Sequence, residues 1–422
     1  MTKEQNFKKW FTYVILVLGA GSIYKLPFLK SVFYGQMQEF MGLSHTEIGT
    51  LMSINGLITT FGFGAAVYFT DKVSKKKSLP LSLILTGVLG LYMAFFFPGY
   101  KQLMVIWVLF GFTCDMMYWP VLLKSIKSLG DDSEQGRLFG FLETGRGLVD
   151  TIVVSIGLFI FTYFGSTINS FKSSIIYFSV VVIAIGIISY FCLEDDKIST
   201  SSSKKNGEKL DYRAALKMPE LWMIAFNAFS VYSIYCGLTY FMPFLKDIYK
   251  MPLTLVSVYG IINAYGLKML GGPIGGIMAD KKFKSPTKYL KYSFLAIGIS
   301  LLGFMFLPHE SINIYVGIIL TLLIGTMIFS QRAIFFAPVG EINLPEEISG
   351  SAMAMAMASF VGYAPGMFLY SIYGGILDNF PGMTGYKLIF LSMVIFAGIG
   401  FTLSSILMKK IQKKKAEDTV IA

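Results

Sequence analysis

Ionisable side chains inside otherwise apolar runs are the residues of this sequence that could do chemistry. Lys25, Lys30, Arg146, Lys268 and Arg332 are the cations, and Asp115, Glu143 and Asp150 the clearest acids. A charge at bilayer depth costs at least about 2.5 kcal/mol, so each points to pairing, binding or coupling. With a helical rise of 1.5 Å per residue, Lys25 lies about 24 Å beyond Lys9 and Arg146 about 13 Å beyond Arg137. Both fall within a hydrocarbon core about 30 Å thick. Lys30 is nearer the far boundary, where its stem can snorkel.

Arginine usage sharpens the chemistry. The chain has 32 lysines and four arginines, Arg137, Arg146, Arg213 and Arg332, two of them inside apolar runs. A guanidinium presents a planar fork of donors that suits a carboxylate, phosphate or sulfonate, which an ammonium does not reproduce. We therefore expect Lys25, Arg146 and Arg332 to contact a small anionic substrate, with Tyr118, Tyr235, Asn263 and Lys268 in support. Asp115 and Glu143 are the candidates for carrying a coupling proton. The i, i+3 spacing of Glu143 and Arg146 leaves open a self-neutralising pair. Pro27 removes the amide that would bond the carbonyl of Ile23, and Gly19, Ala20, Gly21 and Ser22 precede it, which suits a cavity wall. No Ser–His, metal-ligand or Gly-rich phosphate constellation appears, so neither an enzyme nor a cofactor is expected. His45 and His309 lie far apart, and Cys114, Cys192 and Cys236 have no ligand spacing.

The elements that position these residues are membrane helices. Hydrophobic residues are 54% of the 422 and charged residues 14%, against about 25% charged in soluble domains. Runs long enough to cross a bilayer fall at 10–34, 46–70, 79–98, 103–127, 138–163, 172–193, 220–245, 254–279, 288–307, 312–338, 350–376 and 386–408. The first is too long, and too charged at Lys25 and Lys30, for a cleaved signal. Of the basic residues flanking these runs, twenty-six fall on one side and five on the other. That bias places both termini in the cytoplasm and accounts for the net charge of +11 without a nucleic-acid partner. The polar stretch 193–218 reads as a cytoplasmic linker between bundles 1–192 and 219–422. The expected form is a monomer whose partners are the bilayer, a small anion and protons.

Internal repeats tie the runs together. Pro27, Pro120, Pro243 and Pro338 lie in runs 1, 4, 7 and 10, separated by 93 and 95 residues within halves and by 216 and 218 between them. A three-helix unit used twice per half gives inverted repeats, a pattern of secondary transporters. After runs 2 and 8 come Asp71-Lys72 and Asp280-Lys281, each followed by further lysines. These paired loops resemble those of the major facilitator superfamily. The resemblance implies twelve transmembrane helices in two pseudo-symmetric six-helix bundles, alternating access, and a cytoplasmic gate at Asp71, Lys72, Asp280 and Lys281. Leu43-Ser44, Glu47-Ile48-Gly49, Trp119-Pro120 with Lys124, and Glu134-Gln135-Gly136-Arg137 look like the organophosphate–phosphate antiporter branch. That branch binds phosphate through arginines in spans 1 and 7, where this chain has Lys25 and Lys30, and Tyr235. The expected function is transport of a small organic anion: a sugar phosphate, sulfonate or carboxylate. The alternatives are a drug or cation exporter, which five buried cations against three acids disfavour, and a non-transporting sensor.

Overall fold

The computed structural model describes residues 3–69, 73–130, 134–194, 217–309, 313–342 and 352–421. Every regular element among them is helical. A chain in hydrocarbon must satisfy its backbone polar groups within each segment, and helices do so. Eleven helices among the described residues are long and apolar enough to cross a membrane. The helix His45–Phe69 stands where the second span is expected. Together they fill the twelve positions read from the sequence. Phe96, Phe159, Phe191 and Phe306 present bare apolar surface, as a lipid-facing belt requires.

By their contacts, residues Met1–Ser203 and Pro252–Gly266 form one compact unit, and Lys204–Met251 with Leu267–Ala422 a second. The sequence expected the division at 193–218; residues 195–216 of that stretch lie outside the described residues, and 252–266 groups with the first unit. The most extensive packing in the first unit joins spans 3 and 6, and in the second spans 9 and 12. These are equivalent positions in the two halves. Glycines permit both approaches: a Cβ on Gly87 would meet the carbonyl oxygen of Ser179 at 2.7 Å, and one on Gly400 would run into the ring of Phe294.

All four repeat prolines sit at breaks. The first span, Asn6–Met41, changes from α-helix to a 3-10 turn at Ile23–Lys25 and resumes at Lys30. In the fourth, Tyr100–Lys127, a π-helical stretch Gly111–Tyr118 gives way to α-helix at Trp119, with Pro120 in its first turn. The seventh, Pro219–Asp247, breaks between Leu238 and Phe241, just before Pro243. Pro338 lies in a 3-10 turn, Ala337–Glu341, just past the tenth span. Two further π stretches, Ile262–Gly266 and Met278–Lys282, interrupt the eighth span. Proline and π-bulges free backbone groups and re-aim side chains, and Lys25 and Asp115 sit at two of these breaks.

Candidate functional site

In the first unit, spans 1 and 5 run side by side in a fixed register. Lys9 Nζ donates to Glu134 Oε2 at 2.7 Å, Tyr13 Oη to the Leu138 carbonyl at 2.8 Å, and Lys25 Nζ to Asp150 Oδ1. All three pairs are 125 residues apart. Small residues allow the approach, since a Cβ on Gly21 would stand 3.0 Å from the carbonyl oxygen of Arg146. Gly19 likewise lies under the Tyr118 hydroxyl. The small-residue run ahead of Lys25 is therefore a helix–helix contact and not the cavity wall expected from the sequence.

Lys25 and Asp150 form a buried ion pair, their side chains 1% and 7% exposed. The Tyr265 ring, from the π stretch of span 8, lies 4.2 Å below the ammonium. The sequence offered Lys25 as a cation for substrate; the fold supplies it with a carboxylate of its own. Lys30 is buried as well, so it does not snorkel as expected. Pro27 leaves the Ile23 carbonyl without its helical donor, and the Cys114 thiol approaches that oxygen at 3.9 Å.

Arg146 Nη2 lies 3.1 Å from Glu143 Oε2. The arginine is 14% exposed and its partner 54%, so the acid reaches open space while the guanidinium is inside. The Trp119 ring lies 4.9 Å from the Arg146 Cζ, and Arg146 Nε is buried without an acceptor. Asn263, in the same unit, has a buried and unpaired Oδ1. A buried polar atom without a partner forfeits about 1–3 kcal/mol, which a polar ligand or water can return.

Asp115 sits on the π stretch of span 4, 5% exposed. Its Oδ1 accepts from Tyr24 Oη at 3.2 Å. Its Oδ2 accepts from Asn55 Nδ2 at 3.2 Å and Thr59 Oγ1 at 2.7 Å. The donors are all neutral, and no cation pairs with this carboxylate among the described residues. Tyr118, from the same stretch, is wholly buried and donates to the Leu16 carbonyl at 3.4 Å. It packs inside the bundle against the first span.

The second unit holds the other arginine. Arg332, in the last turn of Ile314–Ile334, is half-buried. The Tyr235 ring lies 4.0 Å from its Cζ and the Tyr232 ring 5.7 Å. Tyr363 packs edge-on against Tyr232 at 5.0 Å. Arg332 has no carboxylate partner among the described residues, and its N–H groups are neither bonded nor fully buried. Lys268 is half-buried and engaged with neighbouring groups. Asp280 and Lys281 are exposed on the π-helical end of the eighth span, Met278–Lys282, and not on the loop expected from the sequence. Asp71 and Lys72 lie outside the described residues. The helix N-terminus beside the loop, Pro286–Phe306, receives instead the Glu341 carboxylate, which accepts from the Thr287 amide at 2.8 Å. That placement matches the helix dipole.

The profile of the Major Facilitator Superfamily matches residues 10–367. This chain belongs to the major facilitator superfamily. As a facilitator it is a secondary transporter and not an enzyme. It is 50% identical to inner membrane protein YihN of Escherichia coli (strain K12), over 97% of this chain and 98% of that one. Inner membrane protein YqcE of the same organism is 29% identical over 97% of each. In fold it is similar to a bacterial homologue of the human lysosomal transporter Spinster in an inward-facing, unoccupied conformation. The TM-score there is 0.73, with 13% identity over 98% of each chain. The nucleoside transporter NupG gives 0.67, with 12% identity over 97% of this chain and 99% of that one.

Several residues of this facilitator's candidate sites escaped the sequence reading. Asn55 and Thr59 are spaced i, i+4 and so share a helix face, a signal that could have marked them as partners for a buried acid. Asp150 was visible as a buried acid, but its partner was not. In the second unit, spans 8 and 10 touch backbone to backbone near Arg332. A Cβ on Gly271 would meet Phe329 Cβ at 2.7 Å, and one on Gly275 would run into the Ser330 carbonyl. Gly275→Ala should therefore force the spans apart, lowering stability by about 1–3 kcal/mol. A melting temperature in detergent checks this, with Gly276→Ala, which meets open space, as the control.

Proposed function

We propose that this facilitator moves a small organic anion, of sugar-phosphate, sulfonate or carboxylate type, across the cytoplasmic membrane by alternating access. The observation that carries this reading is Arg332: a guanidinium within a membrane span, walled by tyrosines, its donor edge unbonded among the described residues. A half-buried cation without a counter-charge is expensive, and an arriving anion offsets the expense. Arg146, stacked on Trp119 with its Nε unpaired, is a separate candidate contact within the first unit, as is Asn263; in the second unit Tyr235 lines the Arg332 site, and Lys268 is already engaged with neighbouring groups. Lys25 serves chiefly by holding spans 1 and 5 through Asp150. The resemblance to the organophosphate–phosphate branch supports an anionic substrate. Exchange against phosphate has less support, because span 7 contributes Tyr235 where that branch has an arginine.

Asp115 is the coupling acid in this reading. Three neutral donors steady its ionised form, and no cation among the described residues pairs with it to prevent it from taking a proton. Glu143, paired and half-exposed, is a second candidate. The expected topology is that of an inner-membrane protein with both termini cytoplasmic, and Asp71 and Asp280 act at the cytoplasmic gate.

Reconstitution tests the coupling. In proteoliposomes the wild type should accumulate its anion when a proton gradient is imposed. Asp115→Asn should lose accumulation and still catalyse exchange of preloaded against external substrate at equal pH. Gradient-driven accumulation by Asp115→Asn at the wild-type level would remove Asp115 from the coupling step.

A further inference from the structure

The arrangement around Arg332 carries more than the sign of the substrate charge. Lys25 and Arg146 each come with a carboxylate, Asp150 and Glu143, so neither brings an uncompensated charge. Arg332 does. The Tyr235 and Tyr232 rings face its guanidinium at 4.0 and 5.7 Å, Tyr363 packs edge-on against Tyr232, and this cluster contains no second cation. The rings of Tyr235 and Tyr232 lie together, 5.4 Å apart, beside the guanidinium. Their hydroxyls make no hydrogen bond with the described residues and are not sealed from solvent. The cluster thus offers one full positive charge, a planar N–H edge and two uncommitted phenols.

We infer that this site takes a singly charged, hydroxylated organic anion, a carboxylate or sulfonate, in preference to a dianionic phosphate ester. The inference rests on the anion-transport reading above and narrows it. A phosphate monoester has its second pKa near 6 and carries close to two charges at pH 7, so one guanidinium leaves the second charge unmatched in a low-dielectric span. Carboxylates and sulfonates carry one. The free phenols donate to or accept from substrate hydroxyls, and a site built to bond hydroxyls disfavours analogues that lack them.

The test is a thermal-shift titration of the full-length detergent-solubilised protein with five probes. They are gluconate and isethionate (hydroxylated monoanions), glycerol 3-phosphate, neutral ribitol, and choline. At pH 7 gluconate or isethionate should stabilise the protein, and more strongly than glycerol 3-phosphate. Between pH 7 and pH 5 the phosphate ester becomes largely a monoanion, so its apparent affinity should rise about tenfold. The affinity for isethionate should stay level, because a sulfonate remains a monoanion throughout that range. Tyr235→Phe keeps the ring and removes the hydroxyl, and should weaken gluconate binding about fivefold. Stabilisation that is strongest with glycerol 3-phosphate at pH 7 and lost in Arg332→Gln would overturn the monoanion preference and leave anion transport standing. Stabilisation by choline or ribitol alone, or by none of the five, would overturn both.

Discussion

Lys25→Met and Asp150→Asn should each destabilise the protein by about 3–5 kcal/mol, the range for breaking a buried ion pair by removing one partner. The two side chains are nearly inaccessible, so water cannot solvate the group left behind. Lys25→Met strands a carboxylate between spans 1 and 5; Asp150→Asn strands an ammonium that lies against the Tyr265 ring. The double replacement Lys25→Met with Asp150→Leu removes both charges and keeps the volume apolar, and should restore most of the lost stability. Melting temperatures of the two singles and the double form a cycle that isolates the pair. If the pair only holds the helices in register, the double variant should also recover transport. Recovered stability without transport would return Lys25 to the substrate path.

The second large effect is at Arg332. Arg332→Gln should abolish ligand-induced stabilisation, because the glutamine has neither the charge nor the fork. Arg332→Lys should recover little of it: the ammonium keeps the charge but cannot make two parallel bonds or lie flat against Tyr235. Neither replacement should unfold the protein, since this cation has no carboxylate among the described residues to be left stranded.

Much of this architecture is legible in the sequence, for physical reasons. Hydrocarbon admits only long apolar helices in a chain of this composition, so the spans can be counted. Pro27, Pro120, Pro243 and Pro338 cannot continue a helix undisturbed, so the breaks can be located. The π stretches cannot: nothing in Gly111–Tyr118 or Ile262–Gly266 distinguishes an i→i+5 turn from an ordinary one, yet these turns carry Asp115 and Asn263. Pairing across helices was hidden as well. The Lys25–Asp150 contact depends on the register of two distant segments, although the shared offset of 125 with Lys9–Glu134 records it once the fold is known. Burial at Tyr118 was invisible for the same reason, because an aromatic in an apolar run faces core, lipid or cavity with the same local pattern. Arginine scarcity was the most informative signal at the site. It singled out Arg332 without showing the tyrosines around it.

The central claim is that Arg332 is the anion contact of a transporter. The most direct test loads proteoliposomes with an equimolar mixture of carboxylates, sulfonates, phosphate esters, polyols and quaternary amines, and measures by mass spectrometry what leaves. With wild-type protein, at least one organic anion should leave faster than from protein-free liposomes, while polyols and amines stay. With Arg332→Gln that anion should be retained. Loss of a polyol or an amine, or equal loss of the anion through Arg332→Gln, would contradict the account.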